Sequence, residues 1–173
     1  MKTATINEIK QELNNSTPST LLDLCLRLAR YKKENKELLT YLLFEAHDEQ
    51  GYIGSVKAEI DAGFAELPRA NAHLTKKSLR KILRTANKYI RYTSSKQAEA
   101  ELLIYYCLQL KNSGLVAATG TAMQNLYQQQ LKKIGIAVSS LHEDLQHDYK
   151  KEIAFITEMP VEKQRKKSFF GKW

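Results

Sequence analysis

Glycine and proline are scarce in this chain: seven and three among 173 residues. So few breakers leave little material for the tight turns of a many-stranded fold, and strand-like alternation is nearly absent. The two cysteines, Cys25 and Cys107, fall inside apolar helical stretches. They read as reduced core residues of a cytoplasmic protein rather than as a disulfide. Long apolar runs are missing. "LLTYLLF" and "LLIYYCL" are the longest candidates, about a third of the length of a membrane span. The opening "MKTATINEIKQEL" lacks the apolar segment of a secretory signal.

Catalytic patterns are equally thin. "GLVAATGTA" (Gly114–Ala122) has neither the lysine nor the spacing of a phosphate loop. Neither cysteine has a histidine close in sequence. "HEDLQHD" (His142–Asp148) offers Asp144 and Glu143 to His147 at helical spacing. A di-metal bundle needs two such carboxylate–histidine pairs plus two more inward carboxylates, and the chain supplies one pair. The reading is therefore non-enzymatic, with no catalytic residue, no metal and no cofactor; a metal-dependent enzyme using this segment is the distant alternative.

What is plentiful is helix-forming material, and helix punctuation recurs along the chain. Thr5 to Glu8 form a capping box ahead of Ile6, Ile9 and Leu13. Thr17 can cap a second helix with Pro18 at its first position. A third helix runs through "KELLTYLLFEA" after a break at Lys32 to Asn35, and a fourth through Ile53, Val56, Ile60 and Phe64 to Pro68. The fifth is "TKKSLRKILRTANKYIRY" (Thr75–Tyr92). Ser94 to Gln97 read as a second capping box, and Gly114 as a left-handed stop to the sixth helix. A seventh helix carries Met123, Tyr127 and Leu131 and is interrupted at Gly135. A third box, Ser140 to Glu143, opens the last helix, which ends before Pro160.

A pattern also recurs. Leu22, Leu26, Arg27 and Ala29 match Leu79, Leu83, Arg84 and Ala86, and "ELLTY" (Glu37–Tyr41) matches "ELLIY" (Glu101–Tyr105). Each set reads as an α-hairpin that buries its face only against a neighbour. The expected fold is all-α: seven or eight antiparallel helices, in a short HEAT-like hairpin stack or an irregular bundle. One helical domain is expected over residues 1–160, with a flexible basic, aromatic tail over 161–173. "LLTYLLF" and "LLIYYCL" are expected to be inner helices, covered on more than one side.

Charge is the least uniform feature. The net charge is +8, yet residues 75–92 alone carry seven cations and no acid, and the last twelve residues add a net four. At 100° per residue, Lys77, Arg80, Lys81, Arg84, Lys88 and Arg91 fall within about a 100° arc. Leu79, Ile82, Leu83, Ala86, Tyr89 and Ile90 lie opposite. Cations three or four apart repel by a few tenths of a kcal/mol per pair, so something anionic should lie near. It can be internal, since residues 45–66 hold six acids and one lysine. Otherwise it is an acidic protein partner, or a nucleic-acid backbone bound without regard to sequence. A DNA-reading helix-turn-helix over residues 76–112 is disfavoured, because the second helix reads "AEAELLIYYCLQL" and belongs in a core. In the tail, Lys166, Lys167, Phe169, Phe170 and Trp173 form a second candidate contact, for a partner or for a peripheral anionic membrane face.

The expected function is thus a cytoplasmic interaction or adaptor protein that holds an acidic partner on the basic helix face.

Overall fold

The computed structural model describes residues 2–118 and 121–158. The chain is all-α, and no strand occurs among the described residues. None of their helices is long and apolar enough to cross a membrane. The chain divides into two compact units, Met1–Asp48 and Glu49–Trp173; the sequence reading placed no boundary inside residues 1–160.

In the first unit, α1 (Ile6–Asn14) opens with the expected capping box, Thr5 and Glu8 each bonding the other's backbone N–H. α2 (Pro18–Tyr31) is capped by Thr17 with Pro18 in its first turn, also as expected. The break before α3 (Lys33–Thr40) is a single extended residue, Lys32. α2 packs on α3, and no comparable packing joins α1 to either. After α3, the chain takes one π-helical turn over Tyr41–Glu45. Ala46 N–H donates to the Tyr41 carbonyl at 2.8 Å, which closes that turn. The wider turn breaks the i, i+4 register with Leu38 and Leu39. Leu42, Leu43 and Phe44 are exposed. "LLTYLLF" is thus not the covered inner helix its composition suggests. Among the described residues of this unit Tyr41 alone is buried.

The second unit contains α4 (Glu49–Ala65), α5 (Ala72–Thr93), α6 (Lys96–Asn112), the short turn α7 (Leu115–Ala118), α8 (Thr121–Ser139) and α9 (Glu143–Thr157). α6 takes the middle and packs against α4, α5, α8 and α9. Its apolar residues run round the whole helix, as a helix covered on several sides requires. Leu102, Leu103, Tyr106, Cys107 and Leu110 are fully buried there, with Leu79 from α5, Met123 and Ile134 from α8, and Ile156 from α9. Two tyrosines tie this core to the backbone: Tyr106 Oη donates to the Leu79 carbonyl at 3.2 Å and Tyr127 Oη to the Ile156 carbonyl at 2.6 Å. Burial pushes the Cys107 thiol up to about 12, so it stays protonated and inert.

Two expected caps moved, and one expected break does not occur. α6 is capped by Ser95, whose Oγ accepts from Ala98 N–H at 3.2 Å, because Ser94 is spent as the left-handed terminus of α5 at φ 52°. Ser140 Oγ donates to the Ala137 carbonyl at 2.7 Å and so finishes α8 rather than starting α9. The cap passes to His142. Gly135 does not interrupt α8; an interior glycine costs about 1 kcal/mol against alanine, too little to break a helix packed on a core. Gly114 takes the left-handed conformation expected of it, at φ 70°.

Candidate functional site

The basic helix α5 is fixed at both ends by local chemistry. The Asn71 side chain accepts from His73 N–H at 3.0 Å and Leu74 N–H at 3.1 Å. Thr75, buried in the first turn, donates to the carbonyls of Pro68 and Asn71. Leu79, Ile82, Leu83, Ala86 and Ile90 are buried, which anchors one face. Tyr89, placed by the wheel on that face, is half-buried and stands edge-on to Tyr52 and Tyr92. Tyr92 is buried.

Opposite that face Lys77, Arg80, Lys81, Arg84 and Arg91 are exposed. None of these five forms a salt bridge among the described residues. Lys88 is half-buried, with its ammonium 4.6 Å from the centre of the Tyr89 ring. The six span about 21 Å at the helical rise of 1.5 Å per residue.

The stripe has two unlike edges. Along one, Lys81 lines a cleft of about 270 Å³ between α4 and α5, together with Glu59 and Glu66. The acidic stretch therefore does reach the stripe at Lys81. Other acids of α4 are engaged elsewhere: Glu49 accepts from Ser95 Oγ at 2.8 Å, and Asp61 accepts from Tyr105 at 2.6 Å and Gln109 at 2.8 Å. Along the other edge Arg84 and Arg91 line an open groove of about 660 Å³ with Lys96 and Lys133. Among the described residues Glu99 is the one acid in its lining, and it pairs with Lys96 at 2.7 Å. Three cations in the groove, Arg84, Arg91 and Lys133, make no ion pair among the described residues. Sequence reading missed Lys96 and Lys133. Lys96 stands across the Ser94–Ser95 turn, and Lys133 is some forty residues further along the chain, so no local pattern links them to the stripe.

The remaining constellations are accounted for locally. Lys57 pairs with Glu101 at 2.6 Å at the mouth of a polar cleft that also holds Tyr105 and Tyr149. Burial chiefly, then the hydrogen bond to Asp61, raises the Tyr105 phenol above its usual range; burial likewise raises Tyr149. Neither phenol is a base near neutral pH. In the 142–148 segment His142 caps α9 and sits 3.2 Å from Asp144, and Glu143, Asp144 and His147 are exposed. No group of three potential metal ligands occurs among the described residues. Cys25, expected in a core, is exposed, and only Cys107 is buried. The tail candidates Lys166, Lys167, Phe169, Phe170 and Trp173 lie outside the described residues.

Comparison with protein families, curated proteins and solved structures found no match.

Proposed function

We infer that this chain is a non-enzymatic interaction protein that binds an acidic protein segment along the outer edge of α5. The observation that carries this reading is the row of exposed arginines, Arg80, Arg84 and Arg91, without ion pairs among the described residues, beside a groove that Lys133 lines. An extended anion laid there relieves the cation repulsion along the helix and gains charge-assisted hydrogen bonds from arginine forks. Acids flank the stripe on one side, Glu59 and Glu66, whereas Lys96 offsets Glu99 on the other. That directs an anionic contact to the groove edge, which suits a single peptide segment better than the broad phosphate surface of a duplex. Single-stranded nucleic acid would want stacking platforms, and Tyr92 is buried while Tyr89 is half-covered. A reducing, cytoplasmic setting belongs to the same reading.

The test is titration of a fluorescent Asp/Glu-rich peptide, with single-stranded and duplex oligonucleotides in parallel. Wild type should bind the peptide, and R84E/R91E should weaken that binding at least about tenfold, since each charge-assisted contact is worth roughly 1.5–3 kcal/mol. Helix content should not change. Equal peptide binding by both proteins would remove the edge as the site. Tight oligonucleotide binding with a log–log salt slope near −5 would point to nucleic-acid backbone instead.

A further inference from the structure

The groove that Arg84 and Arg91 line constrains more than the sign of its ligand's charge. Its described lining holds four cations, Arg84, Arg91, Lys96 and Lys133, against one acid, Glu99, a net charge of +3. Glu99 pairs with Lys96, which leaves Arg84, Arg91 and Lys133 exposed and without an ion pair among the described residues. Arg84 and Arg91 stand two turns apart on one face of α5, about 10.5 Å at the helical rise, a gap that two long side chains can close from either end. The hydroxyls of the lining divide. Ser95 Oγ is spent, accepting from Ala98 N–H at 3.2 Å and donating to Glu49 at 2.8 Å. Ser94 is exposed, and its Oγ makes no hydrogen bond among the described residues. Ile90 is the one apolar side chain of the described lining, and it is buried. The groove therefore offers an apolar side chain no pocket, and affinity there must come from charge and hydrogen bonds.

We propose that this groove receives a phosphoryl group, carried on a side chain of the bound acidic segment. The proposal rests on the reading of this edge as a peptide site and names the group the site selects. Charge per group decides it. A carboxylate brings one negative charge and two acceptor oxygens. Set among Arg84, Arg91 and Lys133, it leaves two cations unmatched. Matching all three would crowd three acidic side chains into one groove against their own repulsion. A phosphomonoester brings about 1.5–2 negative charges and three acceptor oxygens on a single side chain. Two guanidinium forks and one ammonium supply charged donors for those oxygens, and Ser94 Oγ lines the same groove as a neutral donor. The backbone phosphates of a nucleic acid carry one charge each and so gain nothing over carboxylates in this setting. No covalent step is involved: the segment arrives already phosphorylated.

The test uses three fluorescent peptides of one Glu-rich sequence, with serine, aspartate or phosphoserine at the centre, titrated against the full chain near pH 7.5. The phosphoserine peptide should bind at least about tenfold tighter than the aspartate peptide, the equivalent of one further charge-assisted hydrogen bond. That advantage should shrink as the pH is lowered to about 5.5, because the phosphoryl group takes up a proton near pH 6 and the described lining holds no histidine. Lys133→Ala and Arg84→Gln should each reduce the advantage at least about threefold with helix content unchanged, both positions being exposed. Equal binding of the aspartate and phosphoserine peptides overturns the proposal and leaves the peptide site standing, whereas binding of none of the three overturns both. A phosphoserine advantage that both variants retain also overturns it, since the phosphoryl group then sits elsewhere. A single strand carrying a 5′-phosphate should bind no better than the same strand without one; a gain there assigns the groove to nucleic-acid ends instead. If a variant loses helix content, the wild-type pH profile decides, and an advantage unchanged at about pH 5.5 overturns the proposal.

Discussion

Leu79, Leu83 and Ala86 on α5 are at most 7% exposed, whereas Leu22 and Leu26, at the matching positions of α2, are 60% and 39% exposed. The same divergence runs through the second helix of each hairpin. Leu102 and Leu103 are fully buried, while Leu38 and Leu39 of the matching "ELLTY" are half-covered. Pattern is therefore not what separates the two hairpins. α5 and α6 are covered by α4, and α6 also by α8 and α9. α2 and α3 have one another. An amphipathic pair specifies a face; the core appears only where further helices close over that face.

The largest break in this comparison should come from matched leucine truncations. Leu79→Ala removes a fully buried side chain and should cost about 2–5 kcal/mol in denaturant unfolding. Leu22→Ala, measured at low protein concentration, should stay within about 0.5 kcal/mol. Comparable losses would mean that the first hairpin has a core of its own. The covering helix can be tested next. A Cβ at Gly63 would stand 2.7 Å from Ile82 Cγ1, where α4 lies against α5, whereas one at Gly54 meets nothing within 4 Å. Gly63→Ala should destabilise by about 1–3 kcal/mol through overpacking, and Gly54→Ala should stabilise by about 0.5–1 kcal/mol; thermal unfolding reads both. Smaller again is Tyr106→Phe, which removes the hydrogen bond to the Leu79 carbonyl and should cost about 1 kcal/mol. Leu42, at the matching position, is 55% exposed, and its replacement by Ala should barely register. The cysteines sharpen the contrast without changing stability. At pH 8 Cys25, which is exposed, should label with a maleimide in the folded chain. Cys107 should remain silent until the chain unfolds, because burial holds its pKa near 12, leaving roughly one thiolate in ten thousand.

What could be read from sequence was what short range decides. The all-α class, the Thr5–Glu8 box, the Thr17–Pro18 start, the left-handed Gly114 and the two-faced character of α5 each depend on residues within a turn or two. Competition between neighbouring groups defeated finer placement: Ser94 and Ser140 were consumed by the helices before them, which shifted two caps. Tertiary cover was not legible at all. Cys25 and Cys107 sit in similarly apolar surroundings in sequence, and only the presence of α4, α8 and α9 around α6 buries one of them. The candidate site divides the same way. Its stripe is visible on a helical wheel, but the division into an acid-facing edge at Lys81 and an open edge at Arg84 and Arg91 depends on where α4 and α8 pack. Lys133 joins the groove for that reason alone.

The contrast between the two hairpins meets one direct measurement: amide hydrogen exchange of the full chain, followed by peptide mass spectrometry. Amides of α5 and α6 should exchange slowly, since they open only with the core of the second unit. Amides of α2 should exchange fast. Exchange of α2 as slow as that of α6 would contradict the account.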